Sequence, residues 1–286
     1  MIPDGAAILS GGRSGTDLPR DRFAPAKEWC DTVSVQYEQP DMPARAHSCP
    51  LCGFRAAERL ADERCPGCGQ AARTRSLAPF IEEELSLYMQ EPPLAGGNLL
   101  AFAMTAAEQK LLAPLFPEIV SVSLFGEYGD GLPHEQGVDM RDLSRFAPAS
   151  FAAVFSILVF DYFTEMRQAM DEAFRILKPG GILFTMISPD RLTDGFAAPE
   201  AVKYIEAQPN YFDYLPAGTK LVSASVGRRW FVRELRRAGF RSRHLSIPDD
   251  LTTMVSDWFI GRKPSETGFA ARLPLVWKSL TGSRRL

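Results

Sequence analysis

Two closely spaced pairs of cysteines constrain this chain more than any other feature of its sequence. Cys49 and Cys52 are separated by two residues, twelve residues follow, and Cys65 and Cys68 repeat the spacing. This spacing lets both thiolates of a pair bind one ion, and the glycine after each pair permits a turn behind it. Four thiolates complete the tetrahedral shell that zinc prefers, so we predict a structural zinc ribbon at residues 46–72. Redox chemistry or an iron–sulfur cluster is the alternative.

The composition is that of an ordinary globular protein and argues against several classes of function. Of the 286 residues, 45% are hydrophobic and 23% charged, and the formal net charge is −3. The pI of about 5.8 does not favour nucleic acid as a partner, since proteins that neutralise many phosphates are usually basic. The sequence contains neither an apolar stretch of about 18 residues nor a signal-peptide pattern, so we expect no membrane segment and a cytoplasmic location.

Beyond the cysteines, short apolar runs alternate with segments of helical period. Apolar runs predict strands at 98–103, 119–124, 151–160, 182–187, 243–247 and 258–262. Apolar residues spaced by three and four predict helices at 73–88, 106–115, 166–177 and 230–238. Strands that alternate with helices form βαβ units, so the predicted fold class is α/β with a parallel sheet between helices.

One part of this pattern resembles the class I S-adenosylmethionine-dependent methyltransferases. Residues 150–154 (SFAAV) are similar to the family strand that reads roughly SFDxV, and residues 175–181 (RILKPGG) to the end of the helix that follows. A four-cysteine ribbon followed by residues 73–75 (RTR) is similar to a bacterial subgroup of these enzymes. The resemblance covers about residues 97–264.

The resemblance implies an organisation for the whole chain. A Rossmann-like methyltransferase sheet, with seven mostly parallel strands, is expected in residues 73–264, after the zinc ribbon at 46–72. Residues 1–45 are expected to form a loosely ordered arm and residues 265–286 a C-terminal tail. The implied cofactors are S-adenosylmethionine, held at the carboxyl ends of the strands, and structural Zn²⁺.

The residues expected to hold the methyl donor depart from the family pattern in two places. The first loop, residues 101–105, contains no glycine, so we expect it to keep negative φ angles, at which alanine is unstrained. The second strand is not followed directly by an acidic residue, and Glu127 comes late. Asp142 is the candidate partner of the adenine amino group, or alternatively a turn cap. The predicted cofactor-binding residues are Ala101, Phe102, Ala103, Glu127, Asp142, Leu143 and Ser156.

The loop after the fourth strand faces the reactive methyl group in this family. Asp161 is therefore predicted to orient the acceptor or remove its proton, and Tyr162 to wall the pocket. Asp161 as the N-cap of a helix that starts near Thr164 is an equal alternative. An insertion after the fifth strand, with Tyr204, Tyr211, Phe212 and Tyr214, is where relatives build acceptor lids.

The predicted function is methyl transfer from S-adenosylmethionine to a small-molecule or glycan acceptor. Seven arginines between residues 228 and 243 form a basic run, either a solvated helix face or an attraction for an anionic acceptor. The glycine-free loop supports one alternative, a catalytically inactive scaffold with a methyltransferase-like fold. An RNA methyltransferase that uses the ribbon as a clamp is the other alternative, and the acidic pI argues against it.

Overall fold

The computed structural model describes residues 46–124, 132–205 and 221–265. The predictions for the arm at 1–45, for Glu127, for most of the tail and for Tyr211, Phe212 and Tyr214 lie outside these residues. In the described part of the chain, none of the helices combines the length and the apolar character needed to cross a lipid bilayer.

Twelve strands of the described residues belong to three sheets. The strands are β1 (His47–Ser48), β2 (Arg55–Ala56), β3 (Asn98–Phe102), β4 (Glu118–Ser123), β5 (Glu135–Gln136), β6 (Phe151–Ile157), β7 (Leu177–Ile187), β8 (Leu192–Thr193), β9 (Glu200–Ile205), β10 (Leu221–Gly227), β11 (Arg241–Pro248) and β12 (Val255–Arg262). The central sheet has seven strands in the order β11-β12-β7-β6-β3-β4-β5. Strands β5, β4, β3, β6 and β7 are parallel, whereas β12 and β11 continue the sheet antiparallel. The predicted Rossmann-like sheet of seven mostly parallel strands is confirmed.

The helices cover both faces of this sheet. They are α1 (Ala72–Arg75), α2 (Leu77–Phe80), α3 (Ser86–Tyr88), α4 (Ala106–Leu112), α5 (Met166–Ile176) and α6 (Arg228–Arg237), with a π-helical turn at Ile81–Leu85 and 3₁₀ turns at Phe160–Tyr162 and Pro189–Arg191. The helical period between residues 73 and 88 correctly predicts the buried side chains, although the helix there is divided into short pieces. Pro79, which has no backbone N–H to donate, lies within α2.

Two apolar cores, one on each face, hold the sheet between the helices. On one face α5 and α6 pack against the strands through Met166, Met170 and Phe231. On the other face Phe80 stacks on Trp258 of β12, with ring centroids 4.4 Å apart. Both of these rings are fully buried, and each such side chain contributes about 1.5–3 kcal/mol to folding. The core is therefore continuous from the helix after the ribbon to the last strand.

The LKPGG segment after α5 belongs to β7 and does not merely end the helix. Residues Leu177–Ile187 form one long strand, whose pairing with β6 shifts register between Phe151 and Ala153. A Cβ on Gly181 would lie 2.7 Å from the carbonyl oxygen of Ala152, so only glycine permits this approach of the two strands. The motif thus serves the packing of the central sheet.

A second sheet that the sequence pattern does not predict follows β7. Its three strands lie in the order β8-β10-β9, with β10 parallel to β8 and antiparallel to β9. The insertion expected to form an acceptor lid begins within β9, and Tyr204 is one of its residues. This sheet contacts the 3₁₀ turn at Phe160–Tyr162 and so approaches the carboxyl end of β6.

Candidate functional site

The sulfur atoms of the ribbon form a compact cluster. The four Sγ atoms lie within 4.8 Å of one another, with Cys49 and Cys68 3.8 Å apart and Cys52 and Cys65 3.7 Å apart. A tetrahedral zinc ion with Zn–S bonds of about 2.3 Å requires sulfur–sulfur distances of about 3.8 Å. The four cysteines are thus spaced as a four-thiolate metal site requires.

Each cysteine pair is shaped by the glycine that follows it. Gly53 and Gly69 have φ angles of +73° and +71°, the left-handed region that glycine adopts without strain. Their N–H groups donate to the carbonyl oxygens of Cys49 and Cys65 at 2.9 and 2.7 Å. Both turns therefore close behind the sulfur cluster in the same way.

The ribbon is fastened to the central sheet by a buried ion pair. Arg75 is fully buried and donates from Nε and Nη2 to the two carboxylate oxygens of Asp249, at 2.9 and 2.7 Å. Its Nη1 donates to the carbonyl oxygen of Glu63 at 2.9 Å and also to that of Gln70. One guanidinium thus joins the ribbon to the loop between β11 and β12. His47, which the sequence placed near the cysteines, pairs instead with Asp250 at 3.2 Å.

The order of the strands reverses between β3 and β6, and both strands end there in unusual backbone geometry. From β3 the chain continues outward through β4 and β5, then returns to the other side of β3 as β6. Ala103 and Leu158, directly after these strands, have φ angles of 50° and 56°. The expectation that the first loop keeps negative φ angles is therefore wrong at Ala103. Strained residues side by side at a switch point are a feature of ligand-binding crevices.

Three of the predicted cofactor-binding residues are buried within the sheet. Ala101 and Phe102 belong to the apolar cores, and Ser156 is fully buried with its hydroxyl 2.7 Å from that of Thr185. Of the first-loop candidates, Ala103 is the one that is partly exposed. A ligand would therefore meet Ala103 directly, whereas the other three lie behind the surface of the crevice.

Asp142 and Leu143, two of the predicted cofactor-binding residues, already have partners in the chain. Asp142 is exposed, and its Oδ1 accepts from the N–H of Ser144 at 3.0 Å, which also lowers the pKa of this carboxyl. Leu143 is buried, and its N–H donates to Glu172 Oε2 at 2.8 Å. Asp142 thus caps a turn, as the alternative prediction had it.

Asp161 is a buried carboxyl at the carboxyl ends of the strands. It is 4% exposed, and its Oδ1 accepts from the N–H of Ser188 at 3.1 Å. Its Oδ2 is buried and has no hydrogen-bond partner among the described residues. Burial raises the pKa of Asp161 to about 7, although the Ser188 N–H acts in the opposite direction. The N-cap position of α5 belongs to Glu165, so Asp161 does not cap that helix.

A cavity of about 250 Å³ lies beside Asp161. Leu158 and Tyr162 line it from the segment after β6, and Met186 and Ser188 from the end of β7 and the residue after it. Asp161 and Tyr162, both predicted from the sequence, therefore lie together at one cavity. The cofactor candidates at 142–143 are not among the residues that line it.

Residues 129–185 match the family model described as a methyltransferase domain. The match runs from before β5 into β7 and includes both Asp142 and Asp161. This part of the chain is similar to a methyltransferase domain. No curated protein matches the sequence.

Several solved structures are similar to the chain in fold. A putative methyltransferase from Bacillus halodurans is 16% identical over 64% of this chain and 100% of its own, with a TM-score of 0.40. An S-adenosylmethionine-dependent methyltransferase from Mesorhizobium loti is 14% identical over 65% and 98%, with a TM-score of 0.44. A putative methyltransferase from Haloferax volcanii, solved in complex with a methyltransferase activator, is 16% identical over 68% and 95%, with a TM-score of 0.42.

The basic run between Arg228 and Arg243 is largely occupied by ion pairs. Arg228 pairs with Asp194 at 2.8 Å and with Asp257 at 3.1 Å. Arg233 and Arg237 pair with Glu234, and Arg243 with Glu84. Read along the sequence, only Glu234 opposed this run, because the other carboxylates come from distant segments. Much of the positive charge of this run is thus neutralised by carboxylates of the same chain.

Sequence reasoning missed the charged residues that line the cavity from outside the family segment. Glu63 and Arg73 come from the ribbon and the helix after it, and Asp190 and Arg191 from the turn after β7. Arg73 was noted only as part of the RTR motif, and no local pattern relates it to Asp161. Its place in the cavity follows from the docking of the ribbon.

Proposed function

We propose that this protein transfers the methyl group of S-adenosylmethionine to a small-molecule or glycan acceptor, with Asp161 as the proton acceptor. The observation that carries the proposal is the unpartnered Oδ2 of a buried carboxyl, beside a cavity at the carboxyl ends of β6 and β7. Ligands of open α/β sheets bind at this edge, near the reversal of strand order. The methyltransferase-domain match over residues 129–185 supports the reaction class.

Asp161 is suited to accept a proton near neutral pH. With its pKa near 7, the carboxyl is about half ionised at pH 7, where a general base is most effective. The Ser188 N–H holds Oδ1, which leaves Oδ2 to accept from a hydroxyl or amine of the acceptor. When bound, S-adenosylmethionine supplies the methyl group as a sulfonium electrophile. Tyr162, partly exposed in the same cavity, would help to exclude water from the acceptor.

The methyl donor is proposed to lie in the crevice between the carboxyl ends of β3 and β6. The small, partly exposed side chain of Ala103 leaves room there for a ligand, and its left-handed backbone resembles what glycine would supply. Glu127 remains the candidate for the ribose hydroxyls, and Asp142 and Leu143 for the adenine. These residues would bind the donor without taking part in proton transfer.

The four cysteines are proposed to hold one structural zinc ion. Four thiolates leave no coordination position for water or substrate, so the metal would stabilise the ribbon and take no direct part in the reaction. In this proposal residues 46–72 form the ribbon and residues 73–264 the methyltransferase-like domain that it is docked on.

Calorimetric titration with S-adenosylhomocysteine tests the proposal most directly. We expect saturable binding with one site per chain, since the demethylated cofactor occupies the same crevice as the donor. S-Adenosylmethionine should bind as well, and incubation with candidate acceptors should release S-adenosylhomocysteine, which mass spectrometry detects. A protein that binds neither compound at millimolar concentration would instead be a scaffold with a methyltransferase-like fold.

A further inference from the structure

The cavity beside Asp161 is bounded by segments that lie far apart in the sequence. On one side are residues at the ends of β6 and β7, including Asp161. On the other side are Glu63, Ala72 and Arg73, together with Met254 to Ser256 at the start of β12. The metal ribbon and the loop that holds it therefore form a wall of the same cavity that contains the proposed base.

This wall is held in place by contacts that the ribbon makes with the β11–β12 loop. Asp249 of the loop pairs with the buried Arg75, and Thr252 donates to Asp249 Oδ2 at 2.7 Å. The N–H of Leu60 donates to the carbonyl oxygen of Leu251 at 2.9 Å. Since Arg75 also donates to the backbone of Glu63, the cavity-lining edge of the ribbon is positioned by the same network.

Arg73 brings a positive charge without an ion-pair partner to this cavity. Arg191, the other guanidinium there, lies 3.5 Å from the carboxylate of Asp190. Arg73 is half-buried and forms no ion pair within the described residues; it acts on the buried carboxyl of Glu108 only through space. Glu63 is exposed, so water screens its charge. A half-buried guanidinium without a carboxylate is well suited to bind one from a ligand.

We propose that the ribbon is part of the acceptor site, and that Arg73 binds a carboxylate of the acceptor while Asp161 accepts the proton of its hydroxyl or amine. The substrate class is then a small hydroxy- or amino-carboxylic acid. The cavity volume of about 250 Å³ agrees with a small acceptor, because sites for drug-sized ligands occupy about 300–1,000 Å³. This inference rests on the proposed function and assigns the ribbon, together with the helix that follows it, a role in substrate recognition.

Saturation-transfer NMR with matched probes tests the inference. 4-Hydroxybenzoate and 4-aminobenzoate carry the carboxylate, and their carboxamides are neutral molecules of the same shape. We expect wild-type protein to bind each carboxylate about tenfold more tightly than its amide, and Arg73→Gln to lose this preference. Arg55→Gln, which changes an exposed ribbon arginine outside the cavity, should retain it.

The results separate this inference from the proposed function. Wild-type protein without a preference for carboxylates, or an Arg73→Gln variant that keeps the preference, would overturn the role of Arg73. Arg73→Lys, which conserves the charge, should keep part of the preference if the variant is folded, as near-ultraviolet circular dichroism will show. Affinity for S-adenosylhomocysteine, measured separately, should be the same in wild type and Arg73→Gln. If wild-type protein did not bind S-adenosylhomocysteine, the proposed function would be contradicted, whereas the measured preference for carboxylates would be unaffected.

Discussion

At the scale of single residues, burial makes an ordinary carboxyl into a candidate base. The side chain of Asp161 has one oxygen that accepts from the Ser188 N–H, and the other is buried with no partner in the described parts of the chain. Removing a carboxylate from water disfavours its charged form, which is why its pKa rises to about 7. Asp190, three residues beyond the end of β7, is exposed in the same cavity.

Asp161→Asn should lower the rate of methyl transfer by about a hundredfold or more, because the amide cannot accept the acceptor's proton. In wild type the rate should rise with pH through about 7, and this rise should disappear in the variant. Rates of S-adenosylhomocysteine formation between pH 5.5 and 9 measure both effects. Asp171→Asn, on the exposed face of α5, is the control that should keep the wild-type profile. An Asp161→Asn variant with the wild-type rate would mean that positioning alone suffices.

Asp161→Asn should raise the free energy of unfolding at high pH. Asp161 has a pKa of about 7 when folded against an ordinary value of 3.8, so its proton stabilises the folded state. This contribution is fully present below about pH 4 and is lost as the pH rises to about 7. Asp161→Asn, neutral throughout, should therefore be more stable than wild type at pH 8, by up to roughly 4 kcal/mol, and similar at pH 4. Thermal unfolding at both pH values measures the difference. Equal melting temperatures of wild type and Asp161→Asn at pH 8 would contradict a destabilising buried charge on Asp161.

Asp142 caps a turn, and a substitution there tests whether its carboxylate also binds the ligand. Its Oδ1 is used by Ser144, whereas the side chain as a whole is exposed. If the carboxylate also accepts from the adenine amino group, Asp142→Ala should weaken S-adenosylhomocysteine binding by about tenfold. Calorimetry measures this loss, with Asp171→Ala as the control. Unchanged affinity would leave Asp142 with its structural role alone.

At the scale of elements, the loops after β3 and β6 carry the backbone strain of the crevice. A left-handed alanine or leucine is less stable than a glycine there, yet Ala103 and Leu158 adopt this geometry at adjacent strand ends. The first loop is held on one side by the Ala103 N–H, which donates to Val122 at 2.9 Å. On the other side Thr105 and Glu108 form a capping box that begins α4. These contacts fix the conformation in spite of its cost.

Ala103→Gly should therefore stabilise the protein by about 1 kcal/mol, because glycine adopts the positive φ without strain. Ala106→Gly, in the first turn of α4, is the matched control and should lower stability. Ala103→Leu should reduce S-adenosylhomocysteine affinity by filling the crevice. Melting temperatures and calorimetry measure these effects. A destabilised Ala103→Gly variant would show that the backbone of Ala103 is not strained, and an Ala103→Leu variant with wild-type affinity would place the donor elsewhere.

At the scale of the whole molecule, the sulfur cluster and the central sheet depend on each other through one loop. The β11–β12 loop holds the ribbon through Asp249 and Asp250, and the strands on either side of it belong to the central sheet. Without its ion pair to Asp249 the buried Arg75 would destabilise the fold, since an unpaired buried charge is costly. Loss of the ribbon fold should thus lower the stability of the central sheet at the edge formed by β11 and β12.

Elemental analysis should find about one zinc per chain, and Cys65→Ser should lose it, because a three-thiolate site is open to water and chelators. The variant should also melt at a lower temperature than wild type. Cys30→Ser changes the one cysteine outside the two pairs and is the matched control, with unchanged metal content. Zinc-free protein that keeps its full thermal stability would contradict a structural role for the metal.

The sequence by itself determined the features that depend on neighbouring residues. The spacing of the cysteines predicts the sulfur cluster, and the apolar periods predict the strands and helices of the central sheet, because both patterns lie within about twenty residues. The position of Asp161 after β6 follows from the same local order. Element ends differ by a few residues, and the three-stranded sheet was missed because β8 and β10 have no distinctive period.

Only the tertiary structure decided what these residues can do. The pKa of Asp161 is raised by burial of its carboxyl, and Ser188, which follows β7, supplies the N–H that acts in the opposite direction. The positive φ of Ala103 is imposed by Val122 and the helix cap, against the local preference of alanine. The ribbon meets the cavity because Arg75 pairs with Asp249, 174 residues away. Burial, strain and long-range pairing are properties of the packed chain, and no pattern along the sequence encodes them locally.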